Sequence, residues 1–248
     1  MKRLLPFSAA AVLLAVWFFA ARRQTSGLFP DPLQVVSGLG ELLRRGLLAK
    51  YVVASLFRVT WGYLLAVVTA VPLGLLIGWY KRGGQALNPL LQLLRPISPL
   101  AWIPISILWF GVGDIAAIFL IFLASFLPLV VAAMNAVRNV PTTLIRAGRN
   151  FGLSNPRLLR NVILPAALPQ LIVALRISLG VAWLVVVAAE MIAVNSGLGF
   201  LIVDARNAGN RYDLVVAGMV MIGLIGLVLD VGIRQLEKMK ALRWGYGS

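Results

Sequence analysis

The chain has 248 residues, a formal net charge of +15 and a mean hydropathy of +0.92; 60% of its residues are hydrophobic and only 12% are charged. Soluble domains carry about a quarter charged residues, so this composition excludes an ordinary water-soluble fold and indicates a protein that is solvated by lipid. The sequence contains no cysteine and no histidine, which excludes disulfides, Cys/His metal sites and histidine acid–base chemistry.

Six apolar stretches follow one another along the chain, and each is long enough to cross a bilayer as a helix of roughly 20 residues. They cover residues 4–21, 51–79, 86–110, 115–137, 166–192 and 212–235. We therefore predict an all-α membrane protein, a single domain over residues 1–248 with about six transmembrane helices. The first stretch follows two basic residues and also has the pattern of a cleaved signal peptide, but its length favours a membrane span.

Between spans one and two, apolar residues recur at helical spacing from Leu33 to Leu48, which indicates a helix in the membrane interface. Span three contains four prolines, each of which frees a carbonyl that needs a partner or a wet cavity. Such a break lines a transport path or is a packing kink. We name Ser98 and Trp102 as path candidates at this break.

Ionisable residues inside membrane spans are energetically costly and often functional. Arg58 lies in span two, Arg176 in span five, and Glu190 near the end of span five. Arg58 either attracts an anionic solute or pairs with Glu190, and pairing is the simpler interpretation. Asp230 and Arg234 are four residues apart on one helix, which favours a local ion pair.

A short glycine-containing sequence, SGLGF, follows span five and includes Gly197 and Gly199. Glycine permits a tight re-entrant bend, so both residues are candidates for an outer gate. A plain turn is at least as good an interpretation of this sequence.

The distribution of lysine and arginine among the loops predicts the orientation of the chain. If the N-terminus is cytoplasmic, the inner segments hold most of the basic residues, and the C-terminus is cytoplasmic too. The basic residues within 22–50 are the exception to this pattern. Because the positive charges lie between spans instead of along one stripe, we expect contact with membrane lipid and no nucleic-acid partner.

The least apolar segment, residues 138–165, is predicted to lie on the cytoplasmic side. Leu144, Ala147 and Phe151 share one face of a short helix, and Gly152 can adopt the left-handed conformation that ends it. A second short helix then leads into span five. The two helices present an apolar face with a cationic rim formed by Arg146, Arg149, Arg157 and Arg160.

This bent pair of helices has two interpretations. It docks in a groove of a soluble partner, or it lies at the membrane surface, where lipid phosphates attract the arginines. The residue types alone leave both interpretations open.

The spacing resembles the cytoplasmic loop motif of ABC importer permeases, which reads Glu-Ala-Ala, three residues, Gly, nine residues, Ile, any residue, Leu-Pro. Four positions match the motif, one position has a similar residue, and two positions depart from it. The matching residues are Ala147, Gly152, Leu164 and Pro165; Val162 stands for the isoleucine, Arg146 for the glutamate and Gly148 for the second alanine. The change at the acidic position puts in doubt any salt link that a glutamate would make.

Two further segments are similar to motifs of the nitrate, sulfonate, taurine and bicarbonate branch of that family: RPISPLAWIPISILWFG at 95–111 and AEMIAVNSGLGFLIVDARNAGNRYD at 189–213. The resemblance covers about residues 50–240 and implies the type I ABC importer permease fold in a bacterial inner membrane. It implies that residues 138–165 couple the permease to an ATPase. It also implies a homodimer of this subunit, two cytoplasmic ATPase subunits, an extracytoplasmic solute-binding protein and no cofactor.

From the resemblance we expect import of a small anion, with a non-anionic, aromatic or vitamin-precursor solute as the alternative. The sequence has no GxxxxGK[ST] phosphate loop, so we expect ATP hydrolysis on a partner and no enzyme activity in this chain. A stand-alone secondary transporter would show repeated broken helices, and only span three is strongly broken. A membrane enzyme is disfavoured because histidine, cysteine and paired carboxylates are absent from the sequence.

Overall fold

The computed structural model describes residues 5–23 and 29–237, and the regular structure in these residues is entirely helical. The first part of the chain contains α1 (Leu5–Arg23), α2 (Pro32–Arg44), α3 (Leu47–Trp79) and α4 (Lys81–Leu94), followed by a 3₁₀ turn (Pro99–Trp102) and α5 (Ile103–Phe110). The second part contains α6 (Asp114–Arg138), α7 (Thr142–Asn150), α8 (Asn155–Leu158), a π turn (Leu159–Ile163), α9 (Leu164–Ile192), α10 (Leu198–Asn207) and α11 (Tyr212–Glu237).

Among the described residues, four helices are long and apolar enough to cross a membrane: α3, α6, the continuous helix Asn155–Ile192, and residues Tyr212–Gln235 of α11. A fifth span is formed if Gly84–Leu94 and Pro99–Phe110 count as one, with a bend of 81° between them. These helices confirm the predicted all-α membrane fold and the break in span three. Span one falls on α1, which begins next to residues outside the described part of the chain, so the number six remains a prediction.

Two boundaries differ from the sequence-based prediction. Span two begins at Leu47 instead of residue 51, because Gly46 adopts a φ of +68° and separates α2 from α3. The second helix of the 138–165 segment is not a separate short helix, since residues 155–192 form one continuous helix. The π turn ends two residues before Pro165, and its wider turn accommodates a residue that has no N–H to donate.

The long helices α3, α6 and α9 form the centre of the bundle, and small residues bring α3 and α6 close together. A Cβ on Gly62 of α3 would lie 2.7 Å from the Cβ of Ile121, and one on Gly74 would lie 2.5 Å from the carbonyl oxygen of Val130. Membrane helices associate through such close backbone approach, because lipid provides no hydrophobic force between them. The same three helices provide most of the buried residues.

Helix α2 lies beside the bundle, as its amphipathic sequence predicts. Its N-terminus is closed by a capping box in which the Asp31 carboxylate accepts from the Gln34 N–H at 2.8 Å and the Gln34 side chain accepts from the Asp31 N–H at 3.0 Å. Arg211 donates a hydrogen bond of 2.6 Å to the Glu41 carboxylate and holds α2 at the start of α11. This hydrogen bond lowers the pKa of Glu41 below its ordinary value.

Candidate functional site

The segment between α6 and α9 forms a tight bend of two packed helical pieces. Gly148 of α7 is buried against Leu158, and a Cβ at Gly148 would lie 2.5 Å from the Leu158 side chain. The Leu153 N–H donates to the Gly148 carbonyl at 3.1 Å, and Gly152 adopts a φ of +75°. The left-handed turn predicted at Gly152 is therefore present, and the glycine at position 148 allows the two helices to touch.

One face of α7 is apolar and uncovered in this chain. Leu144 is 39% exposed, Phe151 is 86% exposed, and Ala147 between them is also exposed. The side chains of Arg146 and three further arginines of the segment, Arg149, Arg157 and Arg160, are exposed as well. The predicted apolar face is confirmed as an exposed surface, while its cationic rim and its coupling role stay predictions.

Leu164 and Pro165, the last residues of the motif, lie at the start of α9 and not in the exposed bend. Both are half-buried, next to Ile163, which is 1% exposed. They therefore connect the bend to the membrane span.

At the opposite end of the bundle, Arg58 is buried inside a cluster of polar groups. Its guanidinium donates to the Glu190 carboxylate at 2.7 Å and to the Asp114 carboxylate at 2.7 Å. It also donates to the carbonyl of Ser196 at 2.7 Å and to the Ser196 hydroxyl at 2.5 Å. We call this group the Arg58 cluster, and we call its end of the bundle the outer end, following the predicted orientation.

The second carboxylate oxygen of Glu190 holds the loop that follows α9. It accepts from the Ser55 hydroxyl at 2.8 Å and from the Gly199 N–H at 3.0 Å, while the Leu198 N–H donates to the Ser55 oxygen at 3.0 Å. Arg58 is 2% exposed and Glu190 is 0% exposed, so the pair is withdrawn from water. Buried charges are tolerated only when they are paired and hydrogen-bonded, and both conditions are met here.

Gly197 and Gly199 lie directly against Glu190, which explains why both positions are glycine. A Cβ at Gly197, where φ is +110°, would lie 2.3 Å from the Glu190 carboxylate. A Cβ at Gly199 would lie 2.2 Å from the carbonyl oxygen of Val187. The turn at Gly197 starts α10. These contacts favour a closely packed turn, and the gate role of the two glycines stays a prediction.

Sequence reasoning anticipated the Arg58–Glu190 pair but missed Asp114, Ser55 and Ser196. Asp114 begins α6 and lies 56 residues from Arg58 in sequence, so no local pattern connects the two. One signal was available, since Asp114 is an acidic residue at the first position of a strongly apolar span. With two carboxylates and one guanidinium, the cluster carries a net charge of about −1, which disfavours a solute anion at Arg58.

Arg176 has a partner that the sequence did not reveal. Its guanidinium donates to Asp230 of α11 at 2.6 and 3.2 Å, and Arg234 donates to the same carboxylate at 2.9 Å. The predicted Asp230–Arg234 pair is therefore confirmed, within a triad that joins α9 to α11. These contacts favour a structural link over the path role proposed for Arg176.

Ser98 and Trp102 lie at the 81° bend of span three. The exposed Ser98 hydroxyl accepts from the Leu100 N–H at 3.3 Å and so begins the 3₁₀ turn. Trp102 is half-buried against a cluster that includes Ile103. Their path role stays a prediction.

No group of acidic residues within the described parts of the chain is arranged to hold a metal ion.

A family model and the sequences of related proteins all identify this chain as similar to transport-system permeases. The model of the family described as "Binding-protein-dependent transport system inner membrane component" matches residues 70–240. The taurine transport system permease protein of Escherichia coli (strain K12) is 38% identical over 243 residues, which are 94% of this chain and 87% of that protein. The nitrate import permease protein of Synechocystis sp. is 36% identical over 247 residues, which are 96% of this chain and 89% of that protein.

The fold is also found among solved structures. A chain of the MetNI methionine ABC transporter in an inward-facing conformation superposes with a TM-score of 0.68 and 20% sequence identity. The superposition covers 77% of this chain and 94% of that chain. At this level of identity the match concerns the fold alone.

Proposed function

Because this chain belongs to the family of binding-protein-dependent transport system inner membrane components, it is an inner-membrane permease of an ABC transporter, and we propose that two copies of it form the transmembrane path of an importer. Two ATPase subunits bind on the cytoplasmic side, where both termini lie, and a solute-binding protein delivers the solute on the outer side. ATP is hydrolysed on the ATPase subunits.

The main support for the proposed contact with the ATPase subunits is the uncovered apolar face of α7. Phe151 is 86% exposed at the tip of a rigid bend, and Leu144 on the same face is 39% exposed. An apolar face next to basic residues at the cytoplasmic end is suited to a groove of a soluble partner. ATP binding draws the two ATPase subunits together, and the seated bends transmit this movement to the membrane helices.

The solute we propose is a small anion with a nitrate or sulfonate group. The support is the names of two relatives, a taurine permease and a nitrate permease, each of which covers nearly the whole chain. Since the Arg58 cluster has excess negative charge, we assign Arg58 to holding the loop after α9, and we assign solute selection to the binding protein. Ser98 and Trp102, at the bend of span three, are the path candidates in this proposal.

The experiment is ATPase activity of the purified permease–ATPase complex in lipid, with its binding protein and a panel of nitrate, bicarbonate, taurine and alkanesulfonates. Stimulation by one of these anions would support the coupled importer and identify its solute. A stable complex that no anion stimulates would remove the anion assignment and leave the alternative of a non-anionic solute. Failure of the permease to bind any ATPase encoded beside it would contradict the proposal itself.

A variant of the bend tests the coupling role directly. Gly152→Pro forces a φ near −65° at a position that has a φ of +75°, so we expect loss of solute-stimulated ATPase activity. Gly152→Asn is the matched control, because asparagine tolerates the left-handed conformation. Equal activity of the two variants would argue against the bend as the coupling element.

A further inference from the structure

Helix α2 is apolar on two faces, and this chain covers only one of them. The covered face packs on the bundle through Val35 and Leu42, which are 3% and 2% exposed. The other apolar face consists of Leu33, Val36 and Leu43, whose side chains are 65%, 65% and 62% exposed. With 3.6 residues per turn, these three side chains lie within about 80° of one another around the helix. They therefore form a continuous apolar stripe that another apolar medium has to cover.

Polar side chains occupy the remaining sector of α2. Ser37 is exposed and lines a polar cavity together with Arg211 and Asp213 at the start of α11. Arg44 lies about 20° around the helix from Leu33, on the border between the apolar stripe and this polar sector. A helix that is apolar on one exposed side and polar on the next is typical of one that lies flat at a membrane surface, with its polar side in water.

The length of α3 places its first turn at the level of the outer lipid headgroups. From Lys50 to Trp79 the helix is about 44 Å long, which matches the roughly 40–45 Å of a bilayer that includes both headgroup layers. On the face of α3 that carries Lys50, the exposed side chains that follow at helical spacing are all apolar. They are Val53, Phe57, Trp61, Leu64 and Val68. Lys50 is therefore the charged residue at the outer edge of an apolar band.

Three cations flank the glycine turn that joins α2 to α3, and two of them have no acidic partner. Arg45 pairs with Glu41 at 2.7 Å, and Glu41 is also paired with Arg211. Arg44 and Lys50 are exposed, and neither forms an ion pair with any residue that the structure describes. These two residues belong to the basic 22–50 segment, the exception to the distribution of positive charge that the orientation predicts.

We propose that Arg44 and Lys50 bind the phosphate of an anionic phospholipid in the outer leaflet, and that acyl chains of the same leaflet cover the apolar stripe of α2. A phosphate provides several charged acceptors at the level where both cations lie, and guanidinium and ammonium groups bind such acceptors strongly. The lipid would fix α2 at the membrane surface, and the Glu41–Arg211 pair would connect it to α11. This site lies outside the proposed coupling segment and does not depend on the proposed function.

The first test asks which medium covers each face of α2. The chain has no cysteine, so Val36→Cys and Ser37→Cys each introduce a unique site for a nitroxide spin label. In lipid nanodiscs, we expect the label at position 36 to collide with oxygen dissolved in the lipid, and the label at position 37 to collide with a water-soluble nickel chelate. Equal nickel access at both positions would place the stripe in water and overturn the proposal. Shielding of position 36 from both reagents would show that a protein covers the stripe, and would also overturn it.

The second test measures the preference for an anionic headgroup. A fluorophore on Val36→Cys permease in mixed micelles is titrated with brominated phosphatidylglycerol or brominated phosphatidylcholine, each of which quenches on contact. We expect phosphatidylglycerol to quench at a several-fold lower mole fraction, and this preference to decrease as salt increases. Arg44→Gln and Lys50→Gln are each expected to reduce the preference, by up to about fivefold. Arg206→Gln, which removes an exposed cation from α10 at the same end of the bundle, is the matched control and is expected to keep it.

The outcomes of the second test are independent of transport, because no ATPase or solute is present. Equal quenching by the two lipids in the wild-type background, without salt dependence, would overturn the phosphate site. An equal loss of preference in Arg206→Gln and Lys50→Gln would indicate an overall charge effect and would overturn the specific site as well. Either result would leave the proposed importer function unaffected.

Discussion

Two groups of arginines lie at opposite ends of this membrane bundle and differ in how their charge is balanced. Arg58 is enclosed by the carboxylates of Glu190 and Asp114 from its own chain. The arginines of the 142–158 bend are exposed, and no acidic residue lies near them in the sequence. The difference is that the charge of Arg58 is balanced within this chain, while the charge of the bend has no acidic residue of the 115–189 segment to balance it.

The largest expected effect comes from leaving a buried carboxylate without its cation. Arg58→Ala removes the hydrogen bonds of Arg58 to Glu190, Asp114 and Ser196. It is expected to destabilise the protein by roughly 3–5 kcal/mol, because Glu190 stays buried and uncompensated. The measurement is thermal or denaturant unfolding in detergent. Arg146→Ala, an exposed position, is expected to change stability by less than about 0.5 kcal/mol.

A double variant tests whether the cluster acts as a unit. Arg58→Met combined with Glu190→Leu removes both buried charges and is expected to recover much of the stability lost in Arg58→Ala. If the double variant is as unstable as the sum of the single variants, the two side chains do not act as a pair.

The next effect concerns the glycine beside Glu190. Gly197→Ala combines strain at a φ of +110° with a Cβ that would lie 2.3 Å from the Glu190 carboxylate, so we expect a loss of about 2–4 kcal/mol. Gly209→Ala is the matched control, since its φ is +129° and no atom lies within 4 Å of its Cβ. We expect about 1–2 kcal/mol there. Equal losses in the two variants would show that contact with Glu190 contributes nothing.

A smaller effect on stability, with a large effect on function, is expected at the bend. Phe151→Ala removes a side chain that is already 86% exposed, so stability should change by less than about 0.5 kcal/mol. Solute-stimulated ATPase activity of the complex should nevertheless fall several-fold. Leu33→Ala, which is 65% exposed on α2, is the control for loss of an exposed apolar side chain. Unchanged coupling in Phe151→Ala would contradict the docking role of this face.

The smallest effect is a pH dependence at α2. The hydrogen bond from Arg211 lowers the pKa of Glu41 in the folded state, so its contribution to stability is present above the unfolded pKa of about 4.3. The contribution is lost as pH falls through the lowered folded pKa. The protection factors of α2 amides, which are corrected for the pH dependence of intrinsic exchange, should therefore fall on acidification. The Glu41→Gln variant should lack this pH dependence, and an unchanged profile would show that the ion pair does not hold α2.

Much of the fold was predictable, because lipid imposes strong constraints on a spanning segment. Backbone groups must be satisfied within each helix, so spans appear as apolar runs of about 20 residues. The prolines of span three indicated its break, and the need for a left-handed residue indicated the turn at Gly152. These features depend on residues that are near one another in the chain.

The buried sites were predictable only in part, because their members are far apart in sequence. Arg58 was recognised as an unusual charge, but its contact with Asp114 spans 56 residues and its contact with Ser196 spans 138. Arg176 was likewise recognised, while its contact with Asp230 depends on the packing of α9 against α11. Which carboxylate reaches which arginine is decided by helix position and rotation.

The sequence by itself therefore determined that this protein is solvated by lipid, that its spans are helical, and that a bend leads into span five. Local physics is sufficient for these, since hydropathy, proline and glycine act on the residues beside them. Only the tertiary structure decided that residues 155–192 form a single continuous helix, and that Arg58 is paired with two acids of its own chain. Both results depend on long-range packing, which places charges together or leaves them apart irrespective of their distance along the chain.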